Sequence, residues 1–337
     1  MYLEQAVTKR LHELAETPSS AIVSDKTLLY YKDENGCNRE LKESIQNRED
    51  CSQDECTSIV GSKTQVTVKP QCKISLQCVK RFSTMFSIDK YWPVVKGMAV
   101  SDKTILISDN ANHKIKHISL TGVLKFSATS ENISPYAIAV CKGVLGVIHK
   151  NYLYLFSEDR KLMQKILLCS MLPIEKDFTV CLANYRDEGF IVGYVGFHGF
   201  RVYDTCGKLM KKIPVQLSYP LAHLSVTGEG NFLVCEWRWG NKSVRVLTPE
   251  GEEVTRCKET QFWRAHAACV DRNGLIYAVD MFASSIWVFD KAGTRLLCYA
   301  AKRDELTNPV NLAFDDDGLL YVVNYCGDIN VYKTVFK

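Results

Sequence analysis

Short apolar runs recur along most of the chain, and each ends in a polar or small residue. They are rich in β-branched and aromatic side chains, which is typical of buried strands. Six of them, ILISD, GVIH, FIVG, FLVCE, IYAVD and LYVVN, end at Asp109, His149, Gly193, Glu236, Asp280 and Asn324. Successive end positions lie 40, 44, 43, 44 and 44 residues apart. Because a four-stranded propeller blade takes about 40 to 45 residues, the spacing predicts six blades.

Each repeat contains the other parts of a blade in the same order. An apolar strand such as GMAV, AIAV, HLSV or NLAF comes first, often just after a Pro, which suits a position outside the hydrogen-bonded ladder. A turn follows, clearest at residues 271–274 (DRNG), where Asp, Asn and Gly favour a hairpin. The marker run, a third strand such as IWVFD or INVYK, and a second turn complete the unit. The pattern therefore predicts an all-β fold, a six-bladed β-propeller.

The last repeat has no fourth strand of its own after INVYK. Residues 73–83, KISLQCVKRFS, precede the first repeat and alternate apolar with polar positions. We expect this segment to pair as the outer strand of the sixth blade, because closing the ring covers an otherwise exposed strand edge.

The segment before the repeats is different in composition. Residues 1–16 place Leu3, Val7, Leu11 and Leu14 on one stripe, which predicts a short amphipathic helix, either alone or as part of a coiled coil through which the chain self-associates. Residues 17–72 are mostly polar, which predicts a partly disordered linker with an isolated strand at TLLYY, residues 27–31. The propeller is predicted to span residues 73–337.

One stretch carries a family resemblance. Asp109-Asn110-Ala111-Asn112-His113-Lys114-Ile115 resembles the D-x-x-N-H-R-I signature of NHL repeats, with Lys in place of Arg, although the second and third repeats depart from that pattern. The resemblance implies an NHL propeller like the C-terminal domain of tripartite-motif proteins, several of which bind RNA through it. No closely spaced Cys/His set is present to form a RING or B-box, so ubiquitin-ligase activity is not implied. We expect a truncated gene product or a form that has lost the front of that layout.

Charge and composition restrict the setting. The net charge of +4 is too small to indicate nucleic-acid or membrane binding by itself, and no apolar run approaches the roughly 20 residues of a membrane span. The beginning of the chain is unlike a signal peptide. The fourteen Cys are scattered, many of them inside apolar strands, which indicates reduced structural thiols. We therefore expect a cytoplasmic protein with no metal and no cofactor.

Candidate binding residues fall on one rim of the predicted ring. The links between second and third strands lie on the same rim as the links between blades, and we call this the upper rim. Aromatic rings interleaved with cations there are suited to single-stranded RNA and also to protein interfaces. The predicted binding residues are Lys114, Lys150, His198, Trp237, Arg238, Trp239, Lys242, Arg264, His266, Phe282 and Tyr325. Carboxylates such as Asp109, Glu236 and Asp280 share the rim, and we expect them to leave it close to neutral, which favours a protein partner over RNA.

The sequence thus predicts a non-enzymatic binding scaffold without catalytic residues. The alternative is a propeller hydrolase or lyase with a metal in the central channel, which needs converging carboxylates, Asn or His. The first channel positions are predicted at Gly97, Ala137, Phe178, His223, Ala267 and Asn311, which are mostly too apolar for such a cage. An extracellular receptor propeller would need secretion and disulfides, and the sequence offers neither.

Overall fold

The structure is a computed structural model of the chain, and it divides into two compact units, residues 1–69 and 70–337. It describes residues 30–32, 38–40, 74–101, 103–129, 133–168, 180–194, 199–217, 219–236, 243–258, 264–294, 296–300 and 306–336. In the first unit, strands β1 (Tyr30–Lys32) and β2 (Asn38–Glu40) pair antiparallel. The helix predicted over residues 1–16 lies outside the described residues, as does most of the predicted linker.

The second unit contains six four-stranded antiparallel sheets among its described residues, which confirms the predicted six-bladed propeller. The first three blades are β4 (Val95–Ser101), β5 (Thr104–Asp109), β6 (Lys114–Ser119) and β7 (Leu124–Thr129); β8 (Ala137–Cys141), β9 (Val144–His149), β10 (Tyr152–Phe156) and β11 (Leu162–Leu167); and β12 (Cys181–Tyr185), β13 (Gly189–Tyr194), β14 (Gly199–Asp204) and β15 (Leu209–Pro214).

The remaining blades follow the same plan, except that the last takes one strand from the start of the unit. They are β16 (Leu221–Val226), β17 (Phe232–Glu236), β18 (Ser243–Leu247) and β19 (Glu253–Lys258); β20 (Ala265–Val270), β21 (Ile276–Asp280), β22 (Ser285–Phe289) and β23 (Leu296–Ala300); and β24 (Pro309–Phe314), β25 (Leu320–Asn324), β26 (Asp328–Phe336) and β3 (Ile74–Ser83).

The ring is closed by β3. It pairs antiparallel with β26 from Ser83 opposite Asp328 to Ile74 opposite Phe336, as the alternating segment before the first repeat predicted. The innermost strands also touch in sequence around the ring, and β24 of the last blade contacts β4 of the first. The free edge of β26 is therefore covered, and the sixth blade has four strands like the other five.

The core lies between the blades. Each second strand is buried on both faces, since successive side chains of a strand point to opposite sides of its sheet. In β5, Ile105 and Ile107 pack toward the sixth blade, whereas Leu106 packs toward the second. This explains why the marker runs are continuously apolar. Outer strands such as β11 and β15 are mostly exposed. No helix in the described part of the chain is long and apolar enough to cross a bilayer.

Candidate binding surface at the axial mouth

The innermost strands of four blades carry an irregularity near the upper rim. Their register shifts at the second residue, which leaves the ladder as a bulge. The residues skipped are Lys96 in β4, Ala222 in β16, His266 in β20 and Val310 in β24. A bulge re-aims the side chain that it carries. It therefore brings Lys96 and His266 to the rim, one residue before Gly97 and Ala267, where the strand pattern predicted the first channel positions.

Lys96 is held between two aromatic rings from neighbouring blades. Its Nζ atom lies 5.6 Å from the ring centroid of Tyr136, just before β8, and 5.5 Å from that of Tyr325, just after β25. All three residues are partly buried. Cations within about 6 Å of a ring centroid are attracted to the ring face. The arrangement fixes a positive charge at the point where blades one, two and six meet.

His266 lies near this cation and contacts the neighbouring blade. Its Nδ1 atom lies 2.7 Å from the carbonyl oxygen of Val310 in the next blade. Burial, and then the charge of Arg264, lowers the pKa of His266 to about 3, and the charges of His223 and Lys96 act in the same direction. Because these groups belong to blades one, four and five, they converge on the axis. The imidazole of His266 is uncharged at neutral pH.

His223 lies deeper along the same axis. It forms a hydrogen bond with Asn311, and burial lowers the pKa of His223 to about 4. His223 belongs to blade four and Asn311 to blade six, which are not neighbours in the ring. A bond between them therefore crosses the channel. This pair places polar but uncharged groups in the channel below the mouth.

Arg264 and Phe282 form the second cation–aromatic pair. The guanidinium carbon lies 5.5 Å from the centroid of the Phe282 ring. Asp280, at the end of β21, accepts hydrogen bonds from the backbone amides of Arg264, Phe282 and Ala283 at 3.0, 3.0 and 2.9 Å. One buried carboxylate thus positions both members of the pair. We call Lys96, Tyr136, Arg264, His266, Phe282 and Tyr325 the axial mouth.

Three carboxylates of this rim bind groups inside the protein. Asp109 and Asp280 are fully buried and Glu236 nearly so. Asp109 accepts the backbone amides of Val94 and Asn112, each at 3.2 Å, and pairs with Lys116 at 2.7 Å. Glu236 lies 3.5 Å from the guanidinium of Arg245. From the sequence, we expected these carboxylates to lie at the surface and to neutralise the charge of the rim. The structure shows instead that they contact groups within their own blades.

Lys114, which belongs to the stretch that resembles the NHL signature, also forms an ion pair within the protein. Its ammonium lies 3.2 Å from Asp89 in the link between β3 and β4, and Lys116, fully buried, lies 2.6 Å from the same carboxylate. Asn112 completes the attachment, because its side-chain oxygen accepts the amides of Lys90 and Tyr91 at 3.0 and 2.9 Å. This cluster anchors the closing link to blade one and lies apart from the axial mouth.

Of the predicted binding residues, the structure brings together Arg264, His266, Phe282 and Tyr325. Lys150 is exposed in the tight turn between β9 and β10, away from them. Lys96 and Tyr136 were missed, and only the bulge explains why a lysine in the apolar run VVKGMAV reaches the mouth. Outside the described residues lie His198, Trp237, Arg238, Trp239 and Lys242.

Comparison with known proteins supports the fold. No family model and no curated protein matches the chain. Among solved structures, it is similar to a streptogramin B lyase, with a TM-score of 0.56 and 14% identity over 78% of this chain and 98% of that one. It is also similar to virginiamycin B lyase from Staphylococcus aureus, with a TM-score of 0.55 and 15% identity over 77% of this chain and 99% of that one.

A WD40 propeller is similar to the chain as well. The WD40 β-propeller domain of Doa1 gives a TM-score of 0.54 at 10% identity, over 71% of this chain and 78% of that domain. Identities this low show the propeller fold and do not decide between catalysis and binding. The described residues contain no group of three or more His, Cys, Asp or Glu side chains that could hold a metal.

The cysteines of the described residues are thiols. Cys141, Cys181, Cys235 and Cys257 are buried, which agrees with their position in apolar strands, whereas Cys206 and Cys326 are exposed. Burial raises the pKa of both Cys181 and Cys257 to about 12. These two groups are therefore uncharged packing residues.

Proposed function

We propose that the protein is a non-enzymatic binding scaffold of the NHL-propeller type, which engages an acidic segment of a protein partner at the axial mouth. The supporting observation is the ammonium of Lys96, held between Tyr136 and Tyr325 and close enough to His266 to influence its pKa. Aromatic residues and Arg are enriched at protein interfaces, and a fixed cation gives such a surface its charge preference.

The internal use of the rim carboxylates supports the same proposal. Asp109 pairs with Lys116 and Glu236 lies beside Arg245, and neither of these cations belongs to the mouth. An incoming carboxylate would meet Lys96 beside the neutral imidazole of His266. The proposal also includes a cytoplasmic setting and self-association through residues 1–16.

Single-stranded RNA is the other ligand that uses rings and cations together. The test must therefore separate the two. Cells expressing the tagged full chain are crosslinked, and the co-purified protein and RNA are quantified independently for the wild type, Lys96→Glu and Lys208→Glu. Lys208 is an exposed cation in the β14–β15 turn of the opposite rim and is the matched control.

We expect Lys96→Glu to reduce recovery of the protein partner about tenfold or more, since it replaces an attraction with a repulsion of about 2 kcal/mol or more in total. Lys208→Glu should retain the partner, and thermal unfolding of both variants should match the wild type. Undiminished protein recovery with Lys96→Glu contradicts the proposal. Loss of RNA alone shows instead that the mouth binds nucleic acid.

A further inference from the structure

Among the described residues, the interface between the first and second blades has the smallest apolar core. It contains six buried apolar residues, against eleven or twelve in each of the other five interfaces. Protein interiors are normally packed as densely as organic crystals. A shortfall at one interface of a repeating fold therefore marks a place where something else can fit.

A pocket of about 130 Å³ occupies this interface. Ile115 and Ala128 of blade one form one wall, and Leu145 and Phe156 of blade two form the other. The lining is predominantly apolar. An apolar cavity of about 150 Å³ is large enough to take up benzene. The volume thus fits one six-membered aromatic ring.

One polar atom of the residues that line this space has no hydrogen-bond partner in the described part of the chain. His117 lines the pocket, and its Nε2 atom is buried with no hydrogen-bond partner among the described residues. The imidazole is fixed edge-on against Phe126, with the ring centroids 5.7 Å apart. A buried polar group left unpaired is unfavourable, so a ligand that hydrogen-bonds to it is favoured.

The charge around His117 restricts the ligand further. Burial, and then the charges of Arg160 and Lys125, lowers the pKa of His117 to about 4, so the ring is neutral at pH 7. The Arg160 guanidinium stacks on Phe126, 3.6 Å from the ring centroid, and borders the pocket. A cationic ligand is disfavoured beside these charges, and the predominantly apolar lining disfavours a fully charged anion. A neutral polar group remains the suitable partner.

We propose that this pocket binds a hydroxylated aromatic ring, with the ring between the walls of the two blades and the hydroxyl group at His117 Nε2. A hydroxyl both donates and accepts, so it satisfies either tautomer of the neutral imidazole. The phenol can be a free small molecule or the tyrosine side chain of a peptide. The site is separate from the axial mouth and does not depend on the function proposed for it.

Ligand-observed NMR titration of the full chain tests the proposal with three probes. Toluene supplies the ring alone, p-cresol adds the hydroxyl group, and N-acetyltyrosine amide presents the same phenol on a peptide backbone. We expect p-cresol to bind about tenfold more tightly than toluene. Saturable binding of the tyrosine amide shows that the phenol can come from the tyrosine of a peptide. Binding of p-cresol without binding of the tyrosine amide restricts the site to free phenols.

Two variants connect the binding to the pocket. His117→Phe keeps an aromatic ring but removes the nitrogen. The affinity for p-cresol should therefore fall to the affinity for toluene. Ala128→Leu, on the outer strand β7, fills the cavity and should abolish binding of both probes. Lys208→Gln, on the opposite rim, should change neither affinity, and thermal unfolding confirms that each variant is folded.

Three results would overturn the proposal. They are equal affinities of toluene and p-cresol in the wild type, a p-cresol preference that survives His117→Phe, and no saturable binding of any probe.

Discussion

Several polar residues that end second strands connect their blade to the link that leads into it. Asp109 accepts the amide of Val94, and Asp280 accepts that of Arg264. In the sixth blade, the Asn324 side chain donates to Thr307 at 3.2 Å. Because these residues fix entry links, their recurrence indicates fold rather than ligand binding. The side chains that the bulges bring to the axis instead differ from blade to blade.

The channel histidines make a prediction about acid stability. Burial lowers the pKa values of His223 and His266 to about 4 and about 3, whereas an unfolded histidine titrates near about 6.5. Below about pH 6.5 the unfolded chain therefore binds protons that the folded protein does not. Stability is complete above that pH and decreases as the pH falls, by up to ~1.4 kcal/mol per pH unit for each histidine.

Denaturant unfolding at several pH values between about 7 and 5, above the usual range of carboxylates, measures this slope. Replacing either histidine by glutamine, as His223→Gln or His266→Gln, should reduce the slope, and Lys208→Gln should leave it unchanged. A slope that is the same in all four proteins would mean that the two histidines do not lose their protons on folding.

At the scale of strands, the sequence predicted most of the order and some of the geometry. The six marker runs are the second strands of the six blades, since burial on both faces makes those strands continuously apolar. The second blade was harder to recognise. Its first turn has only two residues, Lys142 and Gly143, both with positive φ, instead of the longer Asp-Gly turn of the later blades.

The bulges set the limit of prediction for the candidate site. A strand pattern with a period of two assigns Lys96 to the wrong position, because one skipped residue reverses the side to which a side chain points. Four residues of the axial mouth were predicted from the sequence, because their position on the upper rim and their residue type are enough to identify them. Lys96 and Tyr136 depend on the register of three different blades, which local sequence does not specify.

The closing strand gives a second prediction, at the level of the element. A chain of residues 70–337 contains β3 and the whole second unit, whereas a chain of residues 84–337 lacks β3. Without it, β26 loses its partner and Ile74, which is 5% exposed, is missing from the core between blades five and six. We expect the longer chain to unfold in one cooperative thermal transition and the shorter one to aggregate or lose that transition. Cooperative unfolding of residues 84–337 at the same temperature would show that closure by β3 is dispensable.

For the whole molecule, the ring separates two kinds of surface. The lower rim carries hairpin turns such as residues 271–275 and 315–319, whose Asp side chains are occupied with their own turn amides. The upper rim carries the axial mouth, where side chains from four blades meet around one axis. This division follows from the ring architecture. It predicts that a protein partner contacts the upper rim and leaves the lower rim free.

Photo-crosslinking from single positions tests this central claim most directly. A benzoylphenylalanine in place of Tyr325 puts a photoreactive ring at the mouth, and the same residue in place of Lys208 puts it on the lower rim. We predict a light-dependent protein adduct from position 325 alone, mapping to an acidic segment of the partner and lost when Lys96→Glu is added. Equal adducts from both positions, an adduct with RNA only, or no adduct at position 325 would contradict the account.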